Sequence, residues 1–146
     1  MNRIRQCAKS LRRDECGAVL LEFVLVFPIM LTAMMGVLEF GWNLNNWNAL
    51  TNATAAGARQ LSISRGDATA YDDTINAFKS AAGTMLTITN VTITISVNGT
   101  TCSDNASCSS ALNSATGLSA KVSAKYPCTE PFYSCTLNST LTMSVQ

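Results

Sequence analysis

Four cysteines and one glutamate carry most of the chemistry this sequence can offer. Cys102, Cys108, Cys128 and Cys135 lie in a Ser-, Thr- and Asn-rich tail, far from Cys7 and Cys16 near the N-terminus. Their spacings are wider than the roughly two to four residues typical of zinc frameworks. An even set of cysteines in such a tail points to two disulfides and an oxidising compartment, and no metal is expected. Glu22 lies inside the apolar stretch "AVLLEFVLVFPIM". A carboxylate there costs about 2.5–3.5 kcal/mol at the centre of a spanning helix, and less near its end. It either snorkels toward the headgroups or pairs with a cation. A cut after Gly17 would make Ala18 a new N-terminus and Glu22 the fifth residue of the shortened chain. The terminal ammonium and the carboxylate are each costly in lipid and far cheaper when paired, within one chain or between staggered neighbours.

Other reactive constellations are weak. The chain contains no histidine, the commonest general base and metal ligand. Asp72 and Asp73 are adjacent, so a helix turns them to different faces. Lys121 and Lys125 fall on the polar side of a strand pattern, which usually only solubilises. No nucleophile signature or phosphate loop occurs, so no enzyme, cofactor or small-molecule substrate is expected. The "SRGD" stretch reads as a helix boundary, and the N-x-S/T triplets reflect an Asn- and Thr-rich composition.

The elements that must position these residues follow from periodicity. Residues 1–17 are polar and basic, with Arg3, Arg5, Lys9, Arg12 and Arg13 against Asp14 and Glu15. The overall net charge is only +1, so the basic tip is a topology signal and no nucleic-acid partner is expected. Residues 18–38 are apolar apart from Glu22 and Thr32, close to the roughly 20 residues a membrane span needs. Pro28 would kink that span. Residues 39–61 continue the helical period, with Val37, Phe40, Leu44, Trp47, Thr51, Thr54, Ala58 and Leu61 on one face. Asn43, Asn45, Asn46, Asn48, Asn52 and Arg59 lie opposite. A helix over 18–61 would be roughly 65 Å long, half in lipid.

Residues 62–146 read as an α+β domain. Asp67 is the expected N-cap of a second helix, with Tyr71, Ile75 and Phe78 or Lys79 inward, closed by Gly83. Residues 91–97, 118–126 and 137–145 alternate apolar with polar, as half-buried antiparallel strands do. Asn98 and Gly99 mark a turn. The simplest assembly is a three-stranded antiparallel meander covered by the two helices. Its two connections lie at opposite ends of the sheet, roughly 25–30 Å apart. Disulfides need Cα atoms within about 7 Å, so Cys102–Cys108 and Cys128–Cys135 are the preferred pairs.

Gly17, Glu22-Phe23, Pro28 and Glu39-Phe40-Gly41, followed by the Gly-Ala-Arg within residues 48–59, fall in an order that resembles the TadE-like minor pseudopilins. These belong to the tight-adherence (Flp-type) pilus, a relative of type IV pili. The resemblance covers about residues 16–60 and implies a type IV pilin-like fold. It implies a leader, residues 1–17, removed between Gly17 and Ala18 by a prepilin peptidase. It implies roles in assembly for Glu22 and Phe23, and a mature single-span protein in the bacterial inner membrane, with its C-terminal domain periplasmic. The implied partners are other Tad/Flp pilins and pseudopilins and the inner-membrane assembly platform. The competing expectation is an uncleaved single-span anchor for a periplasmic binding or adhesion domain. A secretory signal peptide fits less well, because its apolar region is typically only about 7–15 residues long.

Overall fold

The computed structural model describes residues 15–84, 86–115, 117–129 and 134–146. The chain divides into two compact units, residues 1–42 and residues 43–146, with one helix entering both. That helix, α1, spans Glu15–Ile63 without interruption, including Pro28. In the first unit its large apolar side chains are exposed from Leu20 to Trp42.

The second unit contains α2 (Ala70–Ala82), a 3-10 turn (Ile88–Asn90), β1 (Thr92–Val97) and β2 (Thr100–Cys102). Helix α3 (Asn105–Asn113) and the long hairpin β3 (Ser119–Thr129) and β4 (Ser134–Ser144) complete it. All strand pairs are antiparallel, in the order β2-β1-β3-β4. The α+β class and the three expected strands hold, but the sheet has four strands, and the expected meander gives way to a crossover. Asn98 (φ 49°) and Gly99 (φ 82°) form a two-residue loop that folds Thr100 back onto Val97. Successive positive φ values suit the right-handed twist of a hairpin, and Asn-Gly tolerates them. A three-residue strand is too short to show alternation. The chain then passes through α3 to reach the other side of β1.

Helix α3 also occupies what the sequence suggested was a plain connection. Its "NASCSSALN" sequence has no strong helix formers beyond two alanines and a leucine, so capping and packing hold it. Asp104 accepts a hydrogen bond from the Ser107 N–H at 2.7 Å, and the Ser107 hydroxyl accepts from the Asp104 N–H at 3.2 Å. This reciprocal box satisfies two otherwise orphaned donors. Cys108 and Leu112, one helical turn apart, are fully buried.

The core lies where α1, α2 and α3 meet the apolar face of the sheet. One cluster joins Ala58 and Leu61 of α1 to Ile95, Val97, Val122 and Leu112; another joins Leu50 and Ala53 to Phe78 and Ala124. Gly57 brings α1 and α2 together: a Cβ there would sit 3.6 Å from both Phe78 Cβ and Thr74 O. The inward stripe of α1 therefore runs through Asn46, Leu50, Ala53, Gly57 and Leu61. Asn46, expected on the polar face, is buried, whereas Leu44 and Trp47 are exposed. The inward face of α2 is Ala70, Thr74, Phe78 and Ala82, with Tyr71 and Ile75 at its margin.

Asp67 is not the N-cap of α2. Thr69 holds that position, and Asp67 accepts from the Thr69 N–H at 3.0 Å and its hydroxyl at 2.9 Å. Gly83 closes α2 as expected, with φ 58° and its N–H donating to Lys79 O. Leu118, expected on the inner face, precedes β3 and is exposed. At the chain's end, the Gln146 N–H donates to Ser62 O at 3.1 Å.

Candidate functional site: an apolar helix and two cysteine pairs

Residues singled out by sequence fall in two places. The first is the N-terminal part of α1. Gly17 and Ala18 lie within its first turn, while Cys7 and residues 1–14 of the leader lie outside the described residues. Glu22 is exposed among Leu20, Leu21, Phe23 and Val24, which are also exposed. The Phe23 and Phe27 rings lie one turn apart, with centroids at 5.4 Å and planes tilted by 32°. Pro28 gives no N–H to the helix, yet the helix continues through it. One turn on, the Thr32 hydroxyl donates to Ile29 O at 2.9 Å, so this polar side chain is satisfied within its own helix. Among the described residues, α1 is the one helix long and apolar enough to cross a membrane, with mean hydropathy 2.2 in its most apolar window.

The second place is the domain of residues 43–146, which holds four cysteines. Cys128 and Cys135 face each other across β3 and β4 and form a disulfide, with Cα atoms 5.1 Å apart. Pro127 beside it falls past the end of β1, where β3 pairs only with β4 and loses no second ladder. Cys102 and Cys108, expected as the second disulfide, are instead free thiols here, both buried in the same core cluster. Burial pushes both thiols above their ordinary value. Cys102 pairs with Ile95, which pairs with Val122, six residues from Cys128 along β3. That is roughly 20 Å at about 3.3 Å per residue, which keeps the two cysteine pairs apart.

The outer sheet face carries Lys121 and Lys125 among hydroxyls. They border a shallow hollow of about 520 Å³ with Thr94, Ser96, Ser123 and Thr142. Ser123 and Thr140 share a 2.9 Å hydrogen bond across the strands. Among the described residues, no three His, Cys, Asp or Glu side chains converge to hold a metal ion.

Two residues escaped the sequence reading. Asn105 accepts from the N–H groups of Tyr71 and Asp72, both at 3.0 Å, and so caps a helix remote in sequence. Asn113 accepts from the Gly66 N–H at 3.1 Å, in the turn between α1 and α2. No local pattern signals a cap supplied from another element; Asp104 and Ser107 could have been found as a box with Ser at its fourth position.

Comparison with known proteins agrees with the resemblance drawn from Gly17, Glu22, Phe23, Pro28 and the second Glu-Phe. Residues 17–59 match the family model described as TadE-like protein. This TadE-like region coincides with all but the ends of α1. No curated protein and no solved structure is detectably similar to the chain.

Proposed function

We propose that the chain is a minor pseudopilin, an accessory subunit of a Flp/Tad-type pilus that acts in pilus assembly or priming. A prepilin peptidase cuts between Gly17 and Ala18 on the cytoplasmic side. The mature α1 holds the protein in the bacterial inner membrane, and the cysteine-containing domain lies in the periplasm. The basic residues of the leader favour this orientation, since cytoplasmic flanks are enriched in Lys and Arg.

The mechanism is assembly rather than catalysis. Leader removal frees the amine of Ala18. Glu22, otherwise a solitary carboxylate on an apolar helix, pairs with such an amine on a staggered neighbour. The pairing sets the register, and the exposed side chains from Phe23 onward pack between subunits. The domain of residues 43–146 then presents its surface to partner pilins and pseudopilins.

The observation that carries this reading is the TadE-like match over residues 17–59, which holds the processing residues, Glu22 and the membrane-capable helix together. The experiment is the N-terminal residue and mass of the membrane-fractionated protein, with and without its host's prepilin peptidase. A peptidase-dependent start at Ala18 supports it. An uncut N-terminus in both strains replaces it with a single-span membrane anchor.

A further inference from the structure

Cys102 ends the edge strand β2, and Cys108 stands in the first turns of α3. Between them runs the short link shaped by Asp104 and Ser107. Both residues sit in the same core cluster as Val97 and Leu112, 4% and 0% exposed. Strand β2 is three residues long and pairs only with β1. Little besides this corner of the core holds it.

We propose that Cys102 and Cys108 form a second disulfide that closes while the domain folds and is sealed once β2 and α3 have docked, stapling the edge strand to the helix. The two S–H bonds break and one S–S bond forms. The two electrons and two protons pass, by thiol–disulfide exchange, to a disulfide oxidant, which is reduced to two thiols. Exchange needs a thiolate that can reach its target. In the folded domain neither condition holds, because both thiols are buried and burial holds them protonated. The bond must therefore close before the core does. The same burial later shields it from reductants. Cys128–Cys135 differs: Cys135 is only partly buried, near the outer end of the hairpin. The two pairs thus form a hierarchy, one openable in the folded protein and one not.

In the cell this rests on the proposed periplasmic placement, so the test separates the two. The full-length protein in detergent is unfolded and reduced, then refolded with oxidised and reduced glutathione. Free thiols are alkylated under denaturing conditions, and the protein is cut after Lys and Arg. Residues 80–121 then hold Cys102 and Cys108, and the last fragment, residues 126–146, holds Cys128 and Cys135.

The expected result is an unalkylated 80–121 fragment, lighter by two hydrogens than its reduced form. Dithiothreitol added to the refolded protein should expose only Cys128 and Cys135 to alkylation until denaturant is added. Alkylation of both Cys102 and Cys108 after refolding, or cross-linking of the two fragments, overturns the bond. Simultaneous opening of both pairs in the folded protein overturns the hierarchy. If refolding closes the bond but protein isolated from cells carries free thiols there, the placement fails and the staple stands.

Discussion

Asn105 and Asp72 are joined twice across a separation of 33 residues: Asn105 Nδ2 donates to Asp72 Oδ2 at 2.8 Å, and Asn105 Oδ1 accepts from the Asp72 N–H at 3.0 Å. The same oxygen accepts from the Tyr71 N–H. Thr69, the residue in the cap position of α2, makes no side-chain cap of its own. The first residue of α3 thus supplies the acceptor that α2 lacks.

Replacing Asn105 should therefore weaken the start of α2 and its tie to α3. Loss of a helix cap costs about 1 kcal/mol. Asn105→Ala should lower stability by about 1–2 kcal/mol, read as a lower urea midpoint. Asn105→Asp keeps the acceptor but loses the donor and sets a second carboxylate beside Asp72. It should be less stable than the parent, with a deficit that shrinks as salt is added. An unchanged midpoint for both variants would remove the inter-helix cap.

The helix starts also give the domain an acid limit. The Ser107 N–H holds the Asp104 carboxyl below its ordinary value of 3.8, and the Thr69 N–H does the same for Asp67. A carboxylate with a depressed folded pKa adds stability above its unfolded pKa and loses it as pH falls through the folded value. The contribution should be intact at pH 5 and above, and should fade as pH drops below 3.8. In Asp104→Asn the decline should be shallower, because Asn can still accept from Ser107 without titrating. Thermal unfolding of both proteins between about pH 2 and 6 reads this directly. Parallel acid profiles would show that Asp104 contributes nothing to the slope.

Much of this frame is legible in the residues, and the failures share one cause. Helix α1 follows from an uninterrupted apolar and small-residue period, and β3 and β4 from strict alternation. Those signals are local and long. Strand β2 is invisible because three residues cannot alternate, and its hairpin is announced only by Asn98-Gly99. Helix α3 is hidden because Ser and Asn favour caps and turns, so its helicity depends on the Asp104 box and on burying Cys108 and Leu112. Asn46 reads as polar until the sheet and α2 fix which stripe of α1 turns inward. The candidate site divides the same way. The pairing of Cys128 with Cys135 follows from their placement in one connection, although the structure extends both strands to include them and replaces the expected meander. Glu22 is conspicuous in sequence, but the pairing proposed for it is between subunits and lies outside a single chain.

Gly57 offers a direct check of the α1–α2 contact. A Cβ at this position would meet Phe78 Cβ and Thr74 O at 3.6 Å and Thr74 Cγ2 at 3.7 Å, all ordinary contact distances. One methyl fits and anything longer does not. Ala also favours a helix over Gly by about 1 kcal/mol. Gly57→Ala should thus be neutral or stabilising by up to about 1 kcal/mol. Gly57→Leu should cost about 1–3 kcal/mol, because it wedges the helices apart. Denaturation midpoints of the two variants check this. Equal midpoints would mean that the helices do not meet here as described.

Glu22 tests the assembly mechanism itself. It is an exposed carboxylate among exposed apolar side chains, and its own helix offers it no cation nearby: the first basic residue after it is Arg59. If its purpose were only to sit at the headgroup boundary, Glu22→Ala should behave as the parent, or insert better by removing a cost of up to about 2.5–3.5 kcal/mol. If it pairs with the amine freed at Ala18, the variant should be cut at the same bond yet lose most of its incorporation into pilus complexes. Processing is read by the N-terminal residue, and incorporation by cross-linking to partner pilins in membranes. Glu22→Asp keeps the charge on a shorter arm and should recover part of the loss, whereas Glu22→Gln should not. Full incorporation of Glu22→Ala would break the link between leader removal and subunit register.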